Sequence, residues 1–305
     1  MINNNTQMTQ SFRIRLGYWI RKHKNLHQIA TSLNKIYYNI SSPFRLEPSF
    51  LIIGAARSGT TSLYEYLIQH PQVLPAAGKE VYFFDKKFHK GINWYKSFFP
   101  FKWKKSKLKN LKPITGEATP RYLHYPHCPK RVHSFFPKIK LIVLLRDPVD
   151  RAFSHYQMEC EHEHESLSFE KSIQEEDLRI KNELEKMIKN ENYYSVDFYR
   201  KSYKTRGIYV TQLENWFKYF PREQFLIIKS EDFYKEPEKI YKQVLDFLNL
   251  PPFKLNIYKQ YKMRKYTTMK SETKILLKDF FQSYNEQLSM LIGKNFRWDV
   301  DESTN

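Results

Sequence analysis

The sequence predicts an α/β fold, a P-loop-like, three-layer arrangement in which a central parallel sheet is flanked by helices. Three observations predict it. Short apolar runs bounded by breakers, FLIIGA (50–55), KLIVLLR (140–146) and QFLIIKS (224–230), read as strands buried on both faces, with PITGEAT (113–119) a weaker fourth. Helical stretches at 60–70, 149–159, 167–189, 207–220, 235–248 and 271–292 lie between and after them, the pattern of a parallel sheet covered on both sides. The first run passes through a glycine-bounded loop straight into a helix. In such sheets ligands sit beyond the carboxyl ends of the strands, which singles out the residues just after 55 and just after 146.

Taken in order, residues 1–47 precede this pattern as a basic, partly helical segment, and 48–305 form the main domain. The opening MINNNTQMTQ is polar and reads as frayed. In the basic stretch that follows, Ile14, Leu16, Trp19 and Ile20 are spaced loosely as on one helix face. Two readings stand: a membrane-surface helix over 13–40, with arginines and lysines flanking Trp19, or a helix packed on the main domain. The short, imperfect pattern favours packing.

The formal net charge of +19 points to anionic partners: nucleotides, nucleic acid, acidic polysaccharide or a membrane surface. Aromatic residues make up 16% of the chain, which excludes a disordered polypeptide. Two cysteines, Cys128 and Cys160, exclude a disulfide framework. No apolar run is long enough to span a bilayer, and no signal peptide with a small-residue cleavage site is visible. The expected location is cytoplasmic, with membrane-peripheral contact as the alternative for 13–40.

The first loop runs Gly54-Ala-Ala-Arg57-Ser58-Gly59-Thr60-Thr61-Ser62. Gly54 and Gly59 allow a tight turn and close approach to a ligand, and Thr60, Thr61 and Ser62 open a helix whose free N–H groups attract an anion. A nucleoside-triphosphate loop reads G-x-x-x-x-G-K-[ST]. Here the glycine spacing is kept, but Thr60 stands where lysine is required and Arg57 brings a cation inside the loop. No clear Mg²⁺-binding aspartate ends a strand, Asp147 being the nearest candidate, so the site is read as holding an anion without metal.

The second loop lies in LIVLLRDPVDRAFSHY. Asp147 followed by Pro148 makes an N-cap and first-turn pair, so a helix should start directly after the strand. Arg146 then stands at the strand end, and Ser154, seven residues past Asp147, falls two turns on along the same face. Together they suit a second phosphate group.

These loops resemble the 5′-phosphosulfate loop and the 3′-phosphate site of sulfotransferases that use 3′-phosphoadenosine 5′-phosphosulfate (PAPS), above all the heparan sulfate and other carbohydrate sulfotransferases and their bacterial relatives. KEVYFFD (79–85), GINWYKSFFP (91–100), TGEATPRYL (115–123), RGIYVTQLENWFKYFP (206–221) and FRWD (296–299) follow that family's order, so the resemblance covers about 49–299. It implies that Glu80 is the general base and that Arg57 stands where many relatives carry lysine. An arginine keeps charge stabilisation but cannot donate a proton to a leaving group. It further implies that Ser58, Gly59, Thr60, Thr61 and Ser62 cradle the 5′-phosphosulfate, that Arg146 and Ser154 hold the 3′-phosphate, and that YKMRKYTTM (261–269) closes over the nucleotide with Lys262 and Arg264. Met263 stands there in place of the family's glycine. Tyr82 occupies a position where some relatives have histidine, Lys79 is a second cation or a solvent-facing lysine, and Asp85 orients the base or serves a turn.

The implied activity moves a sulfuryl group from PAPS to a hydroxyl of a glycan-like, acidic acceptor, with no metal. ECEHEHES (159–166) lacks a second ligand cluster and reads as an exposed acidic-histidine stretch. KWKKSKLKNLK (102–112) is a basic run that can steer an acidic glycan, or simply a solvated face. Two other classes stay open: a P-loop kinase or NTPase with an altered loop, against which Thr60 counts, and a non-catalytic polyanion-binding protein, which predicts steep salt dependence.

Overall fold

The computed structural model describes residues 24–106, 111–259, 261 and 268–298. Five strands form one sheet: β1 (Phe50–Gly54), β2 (Val73–Pro75), β3 (Ile114–Ala118), β4 (Lys140–Leu145) and β5 (Phe225–Lys229), in the order β2-β3-β1-β4-β5. All pairings are parallel, with Phe50 opposite Gly116, Ile52 opposite Ile142 and Val143 opposite Ile227. β2 is absent from the sequence reading because it is three residues long and ends in proline.

Alternate residues serve opposite layers, as strand geometry requires. Leu51, Ile53, Leu141, Val143 and Leu145 pack with Phe83, Phe84, Tyr95 and Trp216 on one face. Phe50, Ile52, Ile142, Leu144 and Ile228 pack with Leu63, Tyr66, Val244 and Leu245 on the other. Burial on both faces explains why these strands are continuous apolar runs. The chain visits β1, β2 and β3 on one side before crossing to β4 and β5, so the switch point of the sheet falls between β1 and β4. The loops after these two strands open at the same edge.

Local chemistry sets the flanking helices. Asp147 caps the helix Pro148–Glu161 through Val149 N–H at 2.8 Å and Asp150 N–H at 3.3 Å. The stretch expected as one helix over 167–189 is two, Phe169–Arg179 and Glu183–Lys189, parted at Asn182, which adopts φ +63°. Asparagine tolerates that left-handed conformation better than most residues, so it ends one helix and starts another. The helix Val196–Lys201, unforeseen from the sequence, is capped by Ser195, whose hydroxyl accepts from Phe198 N–H at 3.0 Å. N-terminal to the sheet, Lys24–Ser41 is helical.

Candidate active site

The loops after β1 and β4 share one cavity of about 520 Å³, a size suited to a nucleotide-scale ligand. Gly59 takes φ +87° immediately before the helix Thr60–Leu67, and Gly59, Thr60 and Thr61 line the cavity at that helix's N-terminus, where free N–H groups favour an anion. Arg57 takes φ +75°, a left-handed conformation that costs an ordinary residue about 1–2 kcal/mol and turns its side chain across to the second loop. There its Nε donates to Ser154 Oγ at 2.9 Å, while Arg146 Nη1 donates to the Arg57 carbonyl at 3.4 Å. Arg146 also lies 3.8 Å from Asp150. One set of contacts thus joins the two loops.

Of the residues singled out from the sequence, Arg57, Gly59, Thr60, Thr61, Glu80, Arg146 and Ser154 all line this cavity. Ser58 and Ser62 do not. Ser58 is fully buried with its carbonyl accepting from the Ser230 hydroxyl at 3.0 Å, and the Ser62 hydroxyl accepts from Tyr261 N–H at 3.0 Å. Gly54 serves packing rather than ligand approach, since a Cβ there would meet the Leu123 side chain at 2.5 Å. Lys262 and Arg264 lie outside the described residues.

Glu80 stands on the opposite wall. The Tyr82 hydroxyl donates to its Oε2, and Lys79 Nζ lies 3.6 Å from its Oε1. Lys79 also donates to Thr61 Oγ1 and its side chain is 19% exposed, so it is a bridge between the two walls rather than a solvent-facing lysine. Burial and the Glu80 hydrogen bond push the Tyr82 phenol far up, so it stays a proton donor to Glu80. Asp85 is buried and pairs with Arg121 Nε at 3.1 Å rather than with Glu80. Burial works against the Arg121 charge, but Asp85 and the tyrosines around it hold its pKa up. Behind Glu80, burial pushes Glu117 up to about 7, against hydrogen bonds from Thr119, Tyr122, Tyr95 and Val81.

The stretch 159–166, expected to be exposed, is so only in part: Glu161, His162, Glu163 and Ser166 are exposed. Glu159 and Glu165 are buried, and Glu159, His162 and His164 line the cavity. Glu159 lies 3.4 Å from His155 Nε2 and 3.0 Å from His164 Nδ1. Glu165 takes Arg179 at 2.8 Å, Lys201 at 3.2 Å and the Tyr203 hydroxyl at 2.8 Å. Alternation along a helix end hid this, because the Glu165 partners Arg179, Lys201 and Tyr203 lie 14, 36 and 38 positions further along the chain. Among the described residues no group of three or more His, Cys, Asp or Glu is arranged to hold a metal.

With the geometry in place, the family model for a sulfotransferase domain matches residues 47–292. The chain belongs to the sulfotransferase family. It is 28% identical to the membrane-associated sulfotransferase kil1 of Dictyostelium discoideum, over 82% of this chain and 66% of that protein. It is 30% identical to the mouse heparan sulfate glucosamine 3-O-sulfotransferase 3B1, over 83% of this chain and 65% of the relative. The human bifunctional heparan sulfate N-deacetylase/N-sulfotransferase 3 is also 30% identical, over 81% of this chain but 30% of its own length. The chain therefore spans less than two thirds of each of these relatives. The crystal structure of a sulfotransferase from Alicyclobacillus acidocaldarius superposes with a TM-score of 0.66 at 28% identity, over 83% of this chain and 99% of that one.

The far wall of the sulfotransferase cavity was not legible from the sequence. Arg121, Tyr199, Arg200 and Arg206 supply it. Arg121 stacks 3.7 Å over the Tyr199 ring, and Arg206 Nη2 donates to the Tyr199 carbonyl at 2.6 Å. The signal available was TPRYL and YRKSYKTRG, arginines interleaved with tyrosines, but the first follows only the weaker fourth strand and the second follows none.

Proposed function

We propose that residues 48–305 are a catalytic domain that moves a sulfuryl group from PAPS to a hydroxyl of a carbohydrate or glycan-like acceptor, with Glu80 as general base. The observation that carries this is the union of the two anion loops: Arg57 bonds Ser154 and accepts from Arg146 at the mouths of neighbouring strands, and Glu80 lines the same cavity. The Gly59 turn and the helix N-terminus behind it suit the 5′-phosphosulfate end, and Arg146 with Ser154 suits the 3′-phosphate. Bound there, PAPS supplies a sulfuryl group already activated on a phosphate.

The chain's own residues do the rest. Glu80 accepts the acceptor hydroxyl proton. The Tyr82 phenol fixes one carboxylate oxygen so that the other faces the acceptor. Arg57 neutralises charge as it shifts to the phosphate, and Lys79, held between Thr61 and Glu80, adds a second positive charge at the same place. Arg121, Arg200 and Arg206 give the acceptor side a cationic wall suited to an acidic glycan, in keeping with the heparan sulfate named in two relatives. A P-loop kinase is disfavoured because Thr60 stands at the lysine position and Asp147 is spent capping a helix.

We further propose peripheral membrane contact on the cytoplasmic side, which the two free cysteines suit. No helix among the described residues is long and apolar enough to cross a membrane. Leu33, Ile36, Tyr37 and Ile40 instead form an exposed stripe at helical spacing. Tyr37 is joined through Arg45 and Phe101 to Trp103, which packs near Phe44, with Lys102, Lys104 and Lys105 exposed beside it. Apolar residues rimmed by lysines suit an anionic bilayer surface, and kil1 is named as membrane-associated.

The test of the enzymatic reading is incubation with sulfur-labelled PAPS and heparan sulfate or cell extract. Label should move to a glycan, and absence of transfer to any acceptor would remove the assignment. For the membrane, the full chain should sediment with phosphatidylserine vesicles, and Ile36→Ser with Ile40→Ser should abolish this. Equal sedimentation of both forms rules the stripe out.

A further inference from the structure

Glu117, at the carboxyl end of β3, is fully buried directly behind the loop that carries Glu80. Its Oε1 accepts from the Tyr95 and Tyr122 hydroxyls, each at 2.9 Å. Its Oε2 accepts from the Thr119 hydroxyl at 2.6 Å and from Val81 N–H at 3.3 Å. The Tyr122 oxygen in turn accepts from Phe83 N–H at 3.0 Å. The amides on both sides of Tyr82 are therefore tied to one carboxylate, one directly and one through a phenol. Tyr82, between them, adopts φ +57° and donates its hydroxyl to Glu80.

These donors are all uncharged, and a carboxylate buried among them is expensive. A carboxylate is nonetheless the side chain that accepts four hydrogen bonds without having to donate one. A glutamine in its place would turn an amide N–H₂ toward the tyrosine hydroxyls or toward Val81 N–H and Thr119. The four donors thus match the ionised, acceptor-only form of Glu117, which gains as pH rises through about 7, and what that form secures is a left-handed tyrosine that points at the base.

We propose that Glu117 is a positioning residue for sulfuryl transfer: by holding the backbone of residues 81–83 from behind, it sets Tyr82 against Glu80 at the cavity wall. This rests on Glu80 being the base. Tyr95 provides the control, since its hydroxyl reaches the same carboxylate but bonds no amide of the loop.

The experiment compares Glu117→Gln, Tyr122→Phe and Tyr95→Phe in the full chain. Three readouts apply: amide hydrogen exchange of residues 79–85, the thermal shift with 3′-phosphoadenosine 5′-phosphate (PAP), and transfer from labelled PAPS to heparan sulfate. Glu117→Gln and Tyr122→Phe should speed exchange in the loop and lower kcat about ten- to a hundredfold, the scale of a misplaced reacting group, with the PAP shift and the acceptor KM retained. Tyr95→Phe should stay within about twofold of wild type in kcat, because geometry at the reacting centre is unchanged. Wild-type exchange in both Glu117→Gln and Tyr122→Phe overturns the proposal, as does a Tyr95→Phe loss equal to that of Tyr122→Phe. If Glu117→Gln does not fold, the two tyrosine variants decide. Full kcat in Glu80→Gln overturns the base assignment alone, and the exchange data still report on Glu117.

Discussion

Replacing Gly59 by alanine should destabilise the fold and loosen its hold on PAP, and the structure separates the contributions. At φ +87° any side chain meets the left-handed penalty of about 1–2 kcal/mol. A Cβ there would also lie 2.9 Å from Tyr234 Oη and 3.3 Å from two ring carbons of Phe233. Tyr234 can swing its hydroxyl aside. Phe233 is buried, with its ring 5.6 Å from that of Tyr66, and cannot, so crowding adds about 1–3 kcal/mol. The total is about 2–5 kcal/mol. Two other glycines isolate the parts: Gly293 is left-handed like Gly59, with φ +67° and ψ 23°, but has nothing within 4 Å of its Cβ, so Gly293→Ala should show the backbone penalty alone. At Gly78 a Cβ meets only Phe98 at 3.7 Å, so Gly78→Ala should be near neutral. The assay is thermal melting of the three variants with and without PAP. In the wild type, PAP at a hundred times its Kd should add about 2.7 kcal/mol. Gly59→Ala should melt lowest and lose most of that gain, because the amides of Gly59 and the first helical turn move. If Gly59→Ala melts with Gly293→Ala and keeps the full PAP shift, the cradle has been misassigned.

Other substitutions bear on separate parts of the site. Glu80→Gln should retain the PAP shift while kcat falls about 10²–10⁴-fold, the usual worth of a general base; near-normal turnover in the labelled-PAPS assay would dismiss Glu80. Ser154→Ala removes the acceptor of the Arg57 Nε bond and should weaken PAP about ten- to a hundredfold, the worth of one hydrogen bond to a charged group, measured by calorimetry. Adenosine 5′-phosphosulfate, lacking the 3′-phosphate, should be affected less, and equal loss for both contradicts a 3′-phosphate role. Burial alone would raise Glu165, but Arg179, Tyr203, the Leu167 amide and Lys201 outweigh it and bring its pKa from 4.5 down to about 2. Its contribution to stability is therefore present above pH 4.5 and lost as pH falls toward 2. Glu165→Gln should accordingly melt below wild type at pH 7, with the gap closing across that acidic window.

How much was legible in advance follows from how far apart the cooperating residues lie in the chain. The strands β1, β4 and β5 announce themselves because parallel strands covered on both faces must be apolar throughout. The two anion loops follow from them, since Asp147-Pro148 and the Gly59 turn are local chemistry. Arg57 on Ser154 is a contact across 97 positions, and no spacing rule reaches it. Glu117 lies within TGEATPRYL, but a lone glutamate ending a weak strand carries no local signal, and its role emerges only from Tyr95, Val81 and Tyr122 around it. The stretch 159–166 misled in the same way, its neighbours Arg179, Lys201 and Tyr203 arriving from later segments of the chain.

The cavity is assembled from two independent sources. Its floor comes from the ends of β1 and β4, whose register is locked by the sheet core. Its facing wall comes largely from the excursion between residue 162 and β5, which brings Tyr199, Arg200 and Arg206 without contributing a strand. A lineage can therefore rewrite that excursion, by length or by charge, and trade one acceptor for another while the loops after β1 and β4 stay as they are. Divergence of acceptor preference should be concentrated there, and grafting the excursion between relatives is the direct way to exchange their substrates.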